Sequence, residues 1–200
     1  MKKLLYTVYF LLLSTTGWAV TLNDVQTRLS QQNVVKANFS QERIIKGVNK
    51  PLLSNGQMII SKEKGLWWHQ VKPFNMTLLM TQTVMKQKTG NQAPQVITAS
   101  DNAQLFQFNS LLSALFKADK ATLEKNFAFK FSDKGNDRWE IRLTPKTAPL
   151  NKIFKTIALF GRTHLEQVLI NDMQGDKTTL RFSNHSTQAL TDNEKKYFNF

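Results

Sequence analysis

The 200-residue chain has no cysteine and only three histidines, His69, His164 and His185. The first absence excludes disulfides, zinc–thiolate sites, cysteine nucleophiles and a cysteine-borne lipid anchor. The second leaves no histidine pair at the spacing of a helical metal motif. Glycine is scarce as well. Its eight residues are nowhere grouped to cradle a phosphate, and no Gly-x-Ser-x-Gly elbow is present. Asp133, Asp137 and Glu140 fall in one hairpin turn, a poor setting for a catalytic carboxylate pair. These absences point away from an enzyme and predict neither metal nor cofactor. Acidic residues are also few, 14 against 27 Lys and Arg, for a net charge of +13. Such an excess suits an anionic partner: nucleic acid, a membrane surface or an acidic protein.

What the chain does contain is apolar mass. Forty-one per cent of it is hydrophobic, including 14 Phe and four Trp, which supplies a core and excludes wholesale disorder. Its length suits one domain. Lys2 and Lys3, the apolar run Leu4 to Leu13 and the small residues around Trp18 match an export signal cut after Ala19. Residues 1–19 are therefore expected to be a cleaved leader and residues 20–200 a single exported, soluble domain. The run falls well short of the roughly 20 apolar residues a bilayer crossing needs. Losing Lys2 and Lys3 lowers the charge from +13 to +11. Export, with no helix-turn-helix, zinc-finger or RNA-recognition signature, argues against nucleic acid as the partner.

Past the leader, Leu22, Val25 and Leu29 recur at helical spacing behind Thr21 or Asn23 as N-cap. Alternation then takes over. Val35, Ala37 and Phe39 share one face of a strand, and Ser54-Asn55-Gly56 reads as part of the loop before the next, near 57–62. Leu66 and Trp68 share a face opposite Trp67 and His69. One tryptophan of the pair, assigned as Trp68, lines the interior; the other sits outside, available to a membrane or partner. Met76, Leu78 and Met80 alternate next. Helical spacing returns with Leu105, Phe108, Leu112 and Leu115, widened by Phe106 and Phe116, behind Ser100 or Asp101. A short helix follows near 120–125. Strands resume at 127–132, 139–143, 152–160, 164–170 and 177–183, and Phe198 and Phe200 alternate at the end.

About ten hairpin-connected strands, one-sided in pattern, predict a mainly β protein. Its expected form is an incomplete antiparallel β-barrel of ten to eleven strands, with a lid of short helices over an apolar cavity. The lid candidates are Leu105, Phe106, Leu112, Leu115 and Phe116. The cavity candidates are Phe39, Met58, Ile60, Leu66, Trp68, Leu78, Met80, Trp139 and Leu180.

The motifs follow a known order. Phe39-Ser40-Gln41, Gly56-Gln57-Met58-Ile59-Ile60-Ser61-Lys62, Leu66-Trp67-Trp68-His69, Lys72-Pro73 and Trp139-Glu140-Ile141-Arg142-Leu143-Thr144-Pro145-Lys146 occur in succession, and Leu165 to Phe182 closes with a hairpin. This succession resembles the periplasmic outer-membrane lipoprotein carrier (LolA) family. The resemblance implies a monomeric, non-catalytic periplasmic carrier. Such a protein shields the acyl chains of a lipoprotein or related lipid between an inner-membrane donor transporter and an outer-membrane receptor. It also implies a lid-latch role for Lys62, at the place of the family's arginine, where lysine lacks the planar five-donor fork. The alternative is a lipid sensor or protein-interaction module on the same fold, which would move no lipid.

Overall fold

The computed structural model describes residues 19–101, 114, 116 and 118–199. Helix α1 (Leu22–Ser30) begins with a capping box. The Thr21 hydroxyl accepts the Asp24 N–H at 3.2 Å, and the Asp24 carboxylate accepts the Thr21 N–H at 2.9 Å. Val25 and Leu29, one turn apart, form its buried stripe.

Strands β1 (Val34–Ile44), β2 (Leu52–Ser61), β3 (Gly65–Lys72), β4 (Met76–Met80), β5 (Val84–Thr89) and β6 (Gln95–Thr98) make the first half of the sheet. The second half is β7 (Phe127–Asp133), β8 (Trp139–Pro145), β9 (Phe154–Gly161), β10 (Leu165–Asp172) and β11 (Lys177–Ser186). Short helices α2 (Lys120–Asn126) and α3 (Leu150–Ile153) lead into β7 and β9. Helix α4 (Asp192–Lys196) and a 3₁₀ turn (Tyr197–Asn199) follow β11. The spatial order is β6-β5-β4-β3-β2-β1-β11-β10-β9-β8-β7, antiparallel at every pairing. Each half is a meander, and β1 joins the halves by pairing with β11. With β6 and β7 both at edges, the sheet is open, as the one-sided patterning predicted.

Because successive strands run antiparallel, alternate connections gather at opposite ends. One rim carries the β1–β2 hairpin, the β3–β4 loop, α3 and the β10–β11 turn. The other carries the β2–β3 and β9–β10 turns.

Two cores result, one per face. The larger joins Val25 and Leu29 of α1 to Ala37, Phe39, Met58, Trp139, Ile141, Leu143, Leu159 and Phe182 of the sheet. The smaller, on the opposite face, holds Val34, Ile59, Trp67, Leu79 and Phe198, with Leu190 beside it. It exists because the segment after β11 folds back over β1 to β4.

Three local expectations are corrected. Ser54, Asn55 and Gly56 lie inside β2, not in a loop. A side chain at Gly56 would collide with the His69 carbonyl on β3, so glycine here serves close strand approach at a shift of register. Strand β6 was not anticipated. Phe198, expected in a strand, sits in a 3₁₀ turn behind a second capping box, Thr191–Glu194.

Candidate functional site

The larger face is built from cross-strand rows whose membership the register fixes. One row runs Val35, Ile60, Leu66, Met80, Met85 and Ile97 across six strands; the next runs Ala37, Met58, Trp68 and Leu78. In the other half, Phe131, Ile141, Leu159, Val168 and Leu180 form one row, and Phe129, Leu143, Ile157 and Ile170 another. These stretches are apolar because each strand alternates and the pairing keeps its phase; past Leu78 the second row becomes polar at Gln87 and Gln95, and past Leu180 the third meets Gln41. Phe39, opposite Gly56, stacks on Trp68 with ring centroids 3.7 Å apart.

A thin cover lies over this face. The Ala118 carbonyl accepts the Gln26 side-chain N–H at 2.7 Å, tying α1 to the chain before α2. Ala114 and Ala118 are buried, and Phe116 meets Phe182 edge-on at 5.7 Å. Between α1, Phe116 and the sheet a gap of about 10 Å³ remains, bordered by Leu29, Val35, Met58 and Phe182. That is space for about one water molecule.

Two histidines stand at the gap's margin. His164, in the β9–β10 turn, and His185, in β11, stack with centroids 4.8 Å apart and planes 8° apart. His185 reaches this place through a bulge: Asn184, in left-handed backbone at φ 53°, adds a residue to β11 against β1. The Gln32 amide donates to His164 Nδ1 at 3.2 Å, and His185 Nε2 donates to the Leu165 carbonyl at 2.9 Å. Burial, reinforced by His185, lowers the His164 pKa from its ordinary 6.5. His164 is thus biased toward its neutral form, which suits a ring beside an apolar surface.

The family profile for "Outer membrane lipoprotein carrier protein LolA-like" matches residues 14–195. The chain belongs to this family. A relative from Dechloromonas aromatica (strain RCB), an outer-membrane lipoprotein carrier protein, is 28% identical over 190 residues, covering 91% of this chain and 85% of the relative. Among solved structures, a LolA superfamily protein from Nitrosomonas europaea is similar at TM-score 0.46 and 12% identity, covering 88% of this chain and 97% of that one. A putative outer membrane lipoprotein-sorting protein domain from Vibrio parahaemolyticus gives TM-score 0.35 at 11% identity, covering 90% and 98%.

In this LolA-like protein all nine residues expected on the apolar face are brought to it. Phe39, Met58 and Trp139 are buried in the larger core, Ile60, Trp68 and Leu180 pack against it, and Leu66, Leu78 and Met80 continue the rows. Of the lid residues, Phe116 touches Phe182, while Leu105, Phe106, Leu112 and Leu115 lie outside the described residues. Lys62 sits one residue past β2. Its side chain is exposed, and its N–H donates to the Asn33 carbonyl at 3.0 Å. Glu140, weighed above as an acid, is taken up by Lys134 and Arg142, each at 2.6 Å.

Sequence reasoning missed Met85, Ile97, Val168 and Phe182 on the apolar face; alternation within the expected strands 164–170 and 177–183 reaches Val168 and Phe182, while Met85 and Ile97 lie in strands with no apolar alternation of their own. One expectation fails in part. Trp67 lies on the face opposite Trp68 as expected, but it is not open to a membrane or partner, being only 6% exposed. Tyr197 stacks on it at 4.6 Å and Phe198 packs in the same cluster. The covering segment is pinned by Lys36, whose ammonium meets Glu194 at 2.6 Å.

No helix among the described residues is long and apolar enough to cross a membrane. No group of three or more His, Asp or Glu among them is arranged to hold a metal.

Proposed function

We propose that this LolA-like protein is a periplasmic carrier whose apolar sheet face shields the acyl chains of a lipoprotein or related lipid between inner and outer membranes. The observation that carries the reading is the set of apolar rows on one sheet face, over which, among the described residues, α1, Ala114, Phe116 and Ala118 pack. Each buried methylene is worth about 0.8 kcal/mol, so an acyl chain needs such a surface to travel through water. The resting gap admits about one water, so loading requires the Phe116 segment to swing away. Residues 105–116 act as the lid in this reading, and Lys62, exposed at the end of β2, as its latch. Met58 and Met80 adapt to chains of different shape. The leader 1–19 directs export, and a donor transporter and an outer-membrane receptor complete the route. The carrier works as a monomer and catalyses no reaction.

The filled gap also suits the alternative, an interaction module that holds no lipid, and one experiment separates the two. The exported protein is isolated without detergent and extracted for lipid mass spectrometry, beside a Phe116→Asp variant shown by circular dichroism to be folded. Stoichiometric acylated cargo on the wild type, lost in the variant, is the expected result. An empty wild type that also fails to keep added lipoprotein in solution overturns the carrier reading.

A further inference from the structure

Exposed apolar residues are not scattered over this molecule. Of the ten large apolar side chains most exposed among the described residues, eight lie at the rim of the β1–β2 hairpin, the β3–β4 loop, α3 and the β10–β11 turn. Val48, Leu52 and Leu53 come from the first, Phe74 from the second, and Ile153 and Met173 from the last two; these six are 49–63% exposed. Concentration of this kind marks an interaction surface.

The rim is continuous. The Met173 N–H donates to the Ile153 carbonyl at 3.0 Å, and the Lys46 N–H donates to Asp176 Oδ1 at 3.0 Å, joining α3, the β10–β11 turn and the β1–β2 hairpin. Asn55 of β2 pairs with Lys72 of β3, which brings in the loop bearing Phe74.

Its charge is one-sided. Lys46, Lys50, Lys72, Lys152 and Lys177 are exposed at this rim, and none takes part in an ion pair among the described residues. The nearby acids are Glu42, Asp172 and Asp176. Asp176 is taken up by Arg43 at 2.9 Å and by the Lys46 N–H, and Asp172 accepts the N–H groups of Gln174 and Asp176.

We propose that this rim docks the protein on an anionic bilayer surface. Aliphatic side chains and Phe74 enter the headgroup boundary while the interleaved lysines meet lipid phosphates. A protein partner fits less well, because protein interfaces deplete lysine and favour Trp, Tyr and Arg anchors in a packed centre. Here the anchors are aliphatic apart from Phe74, come from separate connections and strand ends, and alternate with lysine. The inference does not rest on the Phe39–Trp68 face carrying cargo, and its test uses none.

The test is co-flotation of the full exported chain with phosphatidylcholine vesicles, with and without phosphatidylglycerol. Binding is expected only with phosphatidylglycerol and should fall with added salt. Lys50→Gln with Lys72→Gln should weaken partitioning by about 25-fold, at about fivefold per lysine. Leu53→Asp with Phe74→Asp should abolish it; all four side chains are exposed, and circular dichroism checks that each variant folds. Failure to float with phosphatidylglycerol vesicles overturns the proposal. So does equal binding to both vesicle types, or flotation that neither pair of substitutions changes.

Discussion

Single residues show how closely the two faces are specified. Trp67 and Trp68 are neighbours with opposite fates: Trp68 stacks on Phe39 inside, and Trp67 lies beneath Tyr197 outside. Gly56 holds its strand pair together by having no side chain. Gly56→Ala should lower stability by about 1–3 kcal/mol, because only backbone movement relieves the clash with the His69 carbonyl; the shift of the urea midpoint measures it. His164 predicts a pH dependence. Its folded pKa lies below the ordinary 6.5, so the unfolded chain takes up a proton first as pH falls. Stability should therefore be flat above that value and decline below it, as protonation sets a charge against His185 in a partly buried stack. His164→Asn keeps an acceptor for the Gln32 amide and should flatten that part of the profile in denaturant titrations at stepped pH. An unchanged slope would remove His164 as its source.

At the scale of elements, legibility follows range. Alternation within a strand is local, so β1, β3, β4, β7 and β8, and the placement of those nine side chains on one apolar sheet face, could be read from period alone. The cover on Trp67 could not, because Tyr197 and Phe198 lie about 130 residues downstream and carry no mark of their destination. Strand β2 starts at Leu52, ahead of the expected 57: Ser54-Asn55-Gly56 has turn chemistry in sequence, yet here the glycine is demanded by the neighbouring strand. The capping box Thr191–Glu194 was equally present in the sequence, but two alternating phenylalanines outweighed it. Phe198→Ala should cost about 3 kcal/mol, at the low end for a large aromatic because the site borders solvent. It should also shift tryptophan emission to the red as Trp67 is uncovered. A stability loss without that shift would mean the segment stays in place.

Over the whole molecule, the open antiparallel sheet and its apolar face followed from hairpin signals and one-sided patterning. The order of motifs placed the chain among LolA-like proteins, and the profile over residues 14–195 bears that out. Part of the basic excess that composition gave only as a number acquires a location in the structure. Lysines share one rim with exposed apolar side chains, while the opposite end of the sheet carries the histidine stack. Nothing in the spacing of Lys46, Phe74 and Met173 reveals that three separate turns converge. That convergence is a product of the meander.

The central claim, that the Phe39–Trp68 face receives acyl chains, is tested most directly by fluorescence quenching. In a chain of residues 20–200, single-tryptophan proteins retaining either Trp68 or Trp67, the other tryptophans replaced by Phe, are titrated with a lipopeptide spin-labelled near the end of its acyl chain. Strong, saturable quenching of Trp68 with little effect on Trp67 is the predicted result, since the two rings lie on opposite faces of one strand. Equal quenching of both, or none of Trp68 at concentrations that keep the lipopeptide soluble, would contradict it.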